Sequence, residues 1–187
     1  MSAAVPKMLF RPITTESDHL LLRTMLPEDV TETYVSWMND PSVTQFLESR
    51  FEKHTLENLR EYVGRMLGSP NTVLLAILEK PGLRHIGNLK LGPIESVHER
   101  SEIGILIGEK DAWGHGYATE AIKTISRFAF QELGLRKLTA GCYATNVGSR
   151  RAFEKAGFTC EAVRPRHYRS GEQIVDAVLL GRFRHDD

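Results

Sequence analysis

A turn of small residues, Trp113–Thr119, has the residue types and the placement to bind a charged ligand. It follows an apolar, strand-like run over 102–108 and leads directly into a helical pattern. Gly114, Gly116 and Ala118 allow a ligand to approach the backbone closely. The first N–H groups of a helix lack intrahelical partners and carry partial positive charge. We therefore expect this turn to seat a pyrophosphate group.

Two common phosphate-binding motifs do not describe the turn. The sequence contains no G-x-x-x-x-G-K-[ST] segment, which disfavours a nucleoside triphosphatase. The third glycine of G-x-G-x-x-G is also missing, and the preceding strand comes late in the chain rather than first. A dinucleotide-binding domain is therefore the weaker alternative.

The elements around the turn predict one mixed α/β domain in the order β-α-α-β-β-β-α-β-α-β-β. We expect an N-terminal arm over 1–18 and a single domain over 19–187. The predicted helices run from Pro27 to Asn39, from Thr55 to Leu67, from the turn to Leu133, and from Gly148 to Ala156. The predicted strands are His19–Thr24, Thr72–Leu78, His85–Pro93, Arg100–Gly108, Lys137–Tyr143, Thr159–Arg166 and Gln173–Leu180.

The composition is that of an ordinary globular protein, with 41% hydrophobic and 26% charged residues among 187. Basic and acidic residues balance at 24 each, so we expect neither nucleic acid nor a membrane as a partner. No apolar run approaches the ~20 residues that span a bilayer, and no secretion signal is recognisable. Cys142 and Cys160 are too few for a disulfide scaffold and lack zinc spacing. We expect a cytoplasmic protein that binds no metal.

The turn also matches the pattern of a known family. The run Trp113-Gly114-His115-Gly116-Tyr117-Ala118 resembles the acetyl-CoA loop of the GCN5-related N-acetyltransferases (GNAT), whose consensus is [Q/R]-x-x-G-x-[G/A]. Gly116 and Ala118 occupy the small positions. Trp113 replaces the Gln or Arg, which is typical of the ribosomal-protein-alanine acetyltransferase (Rim-type) branch.

Further segments extend this resemblance to residues 20–182. Asn146-x-x-Ser149, followed by Phe153-Glu154-Lys155-Ala156-Gly157-Phe158, resembles the second motif of that branch. The N-terminal half is similar at Leu22-Arg23, Asp29, Tyr34 to Asp40 and Ile86-Gly87. The resemblance implies a mixed, mostly antiparallel sheet of about seven strands, flanked by about four helices. It also implies a V-shaped separation between the fourth and fifth strands.

The resemblance implies acetyl-CoA as the co-substrate. The turn would bind its pyrophosphate through backbone N–H groups. The preceding strand would pair with the amides of the pantetheine arm as an added strand does, and a β-bulge would suit Gly108. The implied cofactor-binding residues are Ile105, Leu106, Ile107, Gly108, Trp113, Gly114, His115, Gly116, Tyr117, Ala118, Thr119, Asn146, Ser149 and Phe153.

Acyl transfer from a thioester to a primary amine needs a proton for the departing thiolate and a route for the proton that the amine loses. Many family members protonate the thiolate with a tyrosine, but that position is Phe153 here. Ser149, one helical turn earlier, is therefore the predicted proton donor. Glu102 is the predicted base if it is partly buried. A solvent-facing Glu102 and a water chain are the alternatives.

The acceptor stays open at this stage. A protein N-terminus, a small antibiotic or polyamine, and an amino sugar or nucleotide-linked sugar all fit the resemblance. Residues 40–50 and the turn 169–173 would line the acceptor side. We expect direct transfer in a ternary complex, since no activated cysteine or serine triad is apparent. A catalytically silent acyl-CoA-binding module is a further alternative, and relatives suggest a homodimer by analogy.

Overall fold

A computed structural model describes residues 12–184, which form one eight-stranded mixed sheet with helices on both faces. The spatial order of the strands is β1-β2-β3-β4-β5-β6-β8-β7. Their bounds are β1 Thr14–Glu16, β2 Leu20–Thr24, β3 Val73–Glu79, β4 Arg84–Leu91, β5 Arg100–Ile107, β6 Lys137–Tyr143, β7 Thr159–Ser170 and β8 Gln173–Phe183. All neighbours are antiparallel except β5 and β6, which are parallel.

Five α-helices complete the fold: α1 Glu32–Asn39, α2 Pro41–Thr44, α3 Leu56–Leu67, α4 Tyr117–Gln131 and α5 Val147–Lys155. Side chains cap most of their first turns. Thr55, for example, accepts a hydrogen bond from the Asn58 N–H at the start of α3. Among the described residues, no helix combines the length and the apolarity needed to cross a bilayer.

The sheet is buried on both faces in its centre. In β3, Val73, Leu75 and Ile77 belong to the core under α4 and α5, whereas Leu74 and Ala76 belong to the core under α1 and α3. Successive side chains of a strand point to opposite faces, so a continuous apolar run is what a strand between two helical layers requires. β3 therefore packs against the helices on both faces of the sheet, next to β4 and β5.

The predicted fold class is confirmed, with differences at the element ends. Thr14–Glu16, in the predicted arm, pairs with β2 as an eighth strand, and α2 is a fifth helix. The first helix was predicted from Pro27, which instead starts a 3₁₀ turn, and α1 begins after its cap Thr31. β7 and β8 extend farther than predicted. Residues 1–11 and 185–187, which include most of the predicted arm, lie outside the described residues.

Candidate functional site

Strands β5 and β6 separate after Glu102, the last residue of β5 that pairs with β6. Beyond this point β5 is paired only with β4, through Ile103–Ile107. The Gly108 N–H donates to the Ile86 carbonyl oxygen of β4 at 2.9 Å. Because backbone groups alternate in direction along a strand, the N–H and C=O of Ile105 face the gap instead. The predicted V-shaped separation is therefore present, with a free strand edge along it.

The N-terminus of α4 lies next to this gap. Gly116 caps the helix with φ +87°, and Gly114 has φ +81°, backbone conformations that favour glycine. The first intrahelical hydrogen bond comes from the Glu120 N–H to the Gly116 carbonyl oxygen, at 3.0 Å. The N–H groups of residues 117–119 precede that bond, so they are available to an anionic ligand.

Trp113 folds the turn back onto β5. Its indole N–H donates to the Ile107 carbonyl oxygen at 2.8 Å, while 43% of the residue remains exposed. The Ile107 carbonyl belongs to the strand edge that faces the gap, because it alternates with Gly108. A tryptophan in place of the usual Gln or Arg thus anchors the turn to the strand that leads into it.

A chain of polar contacts ties both ends of the turn to the β3–β4 hairpin. The Tyr117 hydroxyl donates to the Glu79 carboxylate at 2.6 Å. Arg84 forms ion pairs with Glu79 at 2.9 Å and with Asp111 at 2.8 Å. The Arg84 guanidinium lowers the pKa of the Asp111 carboxyl. Arg84 and Asp111 are exposed, and Glu79 and Tyr117 are half-buried. Exposed ion pairs add little stability, so the main effect of this chain of contacts is to fix the position of the turn.

Gly108 lies in a bulge, as expected from the sequence, but it does not line the cleft along the gap. The N–H groups of Gly108 and Glu109 both donate to the Ile86 carbonyl oxygen, at 2.9 and 3.2 Å, two residues opposite one as in a β-bulge. The Trp37 ring covers Gly108 so closely that an added Cβ would overlap it. The Trp37 indole N–H donates to Glu109 at 3.0 Å. The bulge therefore aims the chain from β5 into the turn.

A cleft of about 780 Å³ joins the gap between β5 and β6 to the N-terminus of α4. Gly108, which is buried, and His115, which is exposed and lies against the Tyr117 ring, do not line it. All the other predicted site residues do: Glu102, Ile105, Leu106, Ile107, Trp113, Gly114, Gly116, Tyr117, Ala118, Thr119, Asn146, Ser149 and Phe153.

Ser149 lies in the first turn of α5, on the wall of the cleft. The Asn146 side chain accepts a hydrogen bond from the Ser149 N–H at 3.1 Å and so caps the helix. The Asn146 amide group keeps its two N–H donors for a ligand. Phe153, at 2% exposure, packs edge-on against Phe158, and its ring has no proton to give. Ser149 is thus the hydroxyl closest along α5 to the tyrosine position that Phe153 fills.

Glu102 lines the cleft, but its side chain faces solvent. The partial burial that would have favoured it as a base is absent. This exposure corresponds to the solvent-facing alternative, and the role of Glu102 as a base stays a prediction. Its carboxylate can still pass a proton to water at the cleft mouth.

The end of the cleft near Glu102 holds an aromatic stack that the sequence did not predict. The rings of Tyr143 and Tyr168 are parallel, with centroids 4.0 Å apart. Tyr143 is only 4% exposed, and its hydroxyl donates to the Glu48 carboxylate at 2.6 Å. The Glu48 side chain is itself 71% exposed. Burial, with the nearby charges of Glu48 and Glu102, raises the pKa of Tyr168.

Tyr168 could not be found from spacing, because no alternation of buried and exposed residues marks β7. Its residues 159–167 are all exposed. Residues 165–167 lie opposite the single residue Asp176 of β8. The Asp176 carboxylate accepts a hydrogen bond from the Arg166 N–H at 2.7 Å, and Arg166 has φ +53°. What brings Tyr168 to the cleft is its stacking on Tyr143 of β6, a contact between residues distant in sequence.

Within residues 12–184, no group of three or more His, Cys, Asp or Glu side chains is arranged to hold a metal ion. The charged side chains that line the cleft are Glu48, Glu102, Arg151 and Lys155. The site therefore consists of a free strand edge, an open helix N-terminus and a few polar side chains.

Residues 19–159 match the family model for the acetyltransferase (GNAT) domain. The uncharacterized N-acetyltransferase YoaA of Bacillus subtilis (strain 168) is 29% identical over 158 residues, which cover 79% of this chain and 84% of that protein. The structure of Vibrio cholerae spermidine N-acetyltransferase in complex with CoA and spermine superposes with a TM-score of 0.80 at 18% sequence identity. The match covers 91% of this chain and 98% of that chain. The RimL ribosomal L7/L12 alpha-N-protein acetyltransferase, solved with coenzyme A, has a TM-score of 0.81 at 16% identity, with coverages of 91% and 97%. The chain belongs to the GNAT family of acetyltransferases.

Proposed function

We propose that this enzyme transfers an acetyl group from acetyl-CoA directly to a primary amine, with both substrates bound at once. The observation that carries the proposal is the free edge of β5, which leads to the open N-terminus of α4. A pantetheine arm with two amides fits such an edge as an added strand, and a pyrophosphate fits the helix N-terminus. The cleft of about 780 Å³ has room for an extended ligand of this kind.

Ser149 is our candidate for the proton donor to the leaving group. The amine nitrogen attacks the thioester carbon, the C–S bond breaks, and the thiolate takes a proton. Three other hydroxyls in the cleft are engaged elsewhere, Ser42 with Asp40, Tyr117 with Glu79 and Tyr143 with Glu48. The hydroxyls of Thr119 and Tyr168 also line the cleft, but they are not on α5. Within residues 12–184 the Ser149 hydroxyl has no hydrogen-bond partner, so it is available to the thiolate.

The amine must arrive at the carbonyl carbon in its neutral form, so a proton has to leave the acceptor. Glu102 and Glu48 are carboxylates on the same part of the cleft lining, and both are exposed to solvent. We propose that one of these carboxylates, or water ordered beside them, receives that proton. Because both carboxylates are exposed, the proton can pass rapidly from them to solvent, and no buried base is needed.

We propose that the acceptor reaches the cleft as an alkylammonium ion. The carboxylates of Glu48 and Glu102, beside Tyr168, form a surface that attracts a cation. Arg50 is the nearby counter-charge: its guanidinium lies 3.7 Å from the Glu48 carboxylate and donates to the carbonyl oxygens of Leu47 and Arg169, at 2.7 and 3.1 Å. Glu102 is therefore the carboxylate that is left to attract the acceptor. A nucleotide-linked sugar would place its phosphates near the two carboxylates, which like-charge repulsion disfavours.

The test is release of free CoA from acetyl-CoA with a panel of acceptors. We would use spermidine, a short peptide with a free N-terminus, and an amino sugar phosphate. We expect turnover with one or both of the cationic acceptors and little with the phosphate-bearing one. If acetyl-CoA binds but no amine raises CoA release above the rate of hydrolysis, a silent acyl-CoA-binding module replaces this proposal. Preference for the sugar phosphate would overturn the acceptor assignment.

A further inference from the structure

The charged groups that line the cleft are divided between its two sides. The carboxylates of Glu48 and Glu102 lie beside Tyr168, where they act on its pKa. The two cations, Arg151 and Lys155, are four residues apart on α5 and therefore project from the same face of that helix. Among the described residues, these two are the only Lys, Arg or His side chains in the cleft lining. The cleft is therefore positive along α5.

Neither cation is used by the fold. Within residues 12–184, Arg151 and Lys155 form no ion pair and no side-chain hydrogen bond. Arg150, which does not line the cleft, is paired with Glu154 at 2.8 Å. Lys155 ends α5, where a cation also complements the helix dipole. Arg151 lies in the middle of the helix, where that explanation does not apply.

The donor molecule has one anionic group that the open helix N-terminus does not account for. Coenzyme A carries a pyrophosphate and, on the ribose of its adenosine, a separate 3′-phosphate. If the pyrophosphate occupies the N-terminus of α4, the adenosine lies beyond it. α5 is in contact with α4, and Arg151 and Lys155 line the same cleft as the N-terminus of α4. A phosphate monoester carries close to two negative charges at neutral pH, which two unpaired cations would balance.

We propose that Arg151 and Lys155 bind the 3′-phosphate of coenzyme A and so distinguish it from its dephosphorylated form. This inference rests on the proposed use of acetyl-CoA and adds a specificity determinant to it. Arg151 follows Ser149 by two residues, about 200° around the helix, so Arg151 and Lys155 project from a different side of α5 than Ser149 does. We therefore expect them to act on donor affinity.

The experiment compares CoA with 3′-dephospho-CoA by isothermal titration calorimetry. We expect the wild-type enzyme to bind CoA about tenfold more tightly than 3′-dephospho-CoA. In the double variant Arg151→Ala/Lys155→Ala that ratio should fall to near one, with the affinity for 3′-dephospho-CoA unchanged. High salt should reduce the preference of the wild-type enzyme for CoA over 3′-dephospho-CoA, since the contact is between exposed charges.

Three controls separate this contact from other effects. Arg150→Ala removes a cation of the same helix outside the cleft and should leave the ratio at its wild-type value. The charge-conserving double variant Arg151→Lys/Lys155→Arg should retain most of the preference. Both target residues are exposed, and the thermal unfolding of each variant verifies that it folds.

Two results would overturn the inference while leaving the proposed function intact. In the first, the wild-type enzyme binds CoA and 3′-dephospho-CoA equally well. In the second, the double variant loses the same factor for both ligands, which would place the cations on the pyrophosphate. Failure of the wild-type enzyme to bind either ligand would instead overturn the proposed function, and this inference with it.

Discussion

Ser149 is the residue on which the proposed chemistry depends most. Its hydroxyl is unengaged in the described structure, and Phe153 provides no alternative donor on the same helix. We predict that Ser149→Ala lowers kcat by about 10- to 100-fold, in the lower range of general-acid effects, while KM for acetyl-CoA changes little. Steady-state kinetics with an active amine measures this.

A matched substitution separates the hydroxyl from the volume of the side chain. Ser149→Thr keeps the hydroxyl and should retain more activity than Ser149→Ala. If Ser149→Ala shows the wild-type kcat, water or another hydroxyl of the cleft such as that of Tyr168 protonates the thiolate, and Ser149 is no more than a small residue in the first turn of α5.

Tyr143 is predicted to act on the acceptor through Glu48. Tyr143→Phe keeps the ring that stacks on Tyr168 but removes the donor to the Glu48 carboxylate. A less fixed carboxylate should raise KM for the amine about 3- to 10-fold, since one hydrogen bond to a charged group is lost. KM for acetyl-CoA should not change. A kcat loss without any change in the KM for the amine would contradict an acceptor-binding role for this pair.

At the scale of elements, the end of β5 depends on Gly108. An added methyl group there overlaps the Trp37 ring, whereas an added methyl at Gly104 of the same strand meets no atom. We predict that Gly108→Ala lowers the free energy of unfolding by about 1–3 kcal/mol, as overpacking does. Gly104→Ala should leave it nearly unchanged. Urea unfolding of the two variants measures the difference. Equal stabilities would show that Trp37 moves away without cost.

Elements with strong local patterns were predictable. The small-residue turn before α4, the cap Asn146 and the continuous apolar run of β3 each result from interactions within a few residues. The proposed cofactor-binding side of the cleft consists of these elements, and most of the residues predicted for it line the cleft. The splay of β5 from β6 is a tertiary feature, and it came from the family resemblance alone.

The acceptor side was less predictable because it is formed by contacts distant in sequence. Tyr143 and Glu48 are 95 residues apart, and Trp37 and Glu109 are 72 apart. The bulge over 165–167, next to Tyr168, is held by a carboxylate of the neighbouring strand. The exposure of Glu102 was unpredictable for the same reason. The identity of one strand residue does not show whether its side of the sheet is open to solvent.

The stability of the whole molecule should depend on pH through His85. Its ring packs between Tyr34 and Trp37, with centroids 6.1 and 5.0 Å away. Burial lowers the pKa of His85, although its hydrogen bonds to Asn88 and Gly87 oppose the change. The unfolded chain therefore binds a proton near pH 6.5, before the folded protein does.

This difference sets the sign of the pH dependence. The free energy of unfolding should decrease as pH falls through 6.5 toward the lower pKa of the folded state, by at most about 1.4 kcal/mol per pH unit. His85→Gln should remove this contribution, so the stability difference between the two proteins should shrink or reverse as pH falls. Chemical denaturation at several pH values between about 5 and 8 measures it. A difference that is independent of pH would contradict a lowered pKa.

The most direct test of the account is the thermal stability of the intact protein with acetyl-CoA. A ligand at about 100 times its Kd stabilises the folded state by about 2.7 kcal/mol, or roughly 5–10 °C in Tm for a chain of this size. We predict a Tm increase in this range with acetyl-CoA and none with NAD at the same concentration. No change with acetyl-CoA up to millimolar concentration, or an equal increase with NAD, would contradict the assignment of the cleft to acetyl-CoA.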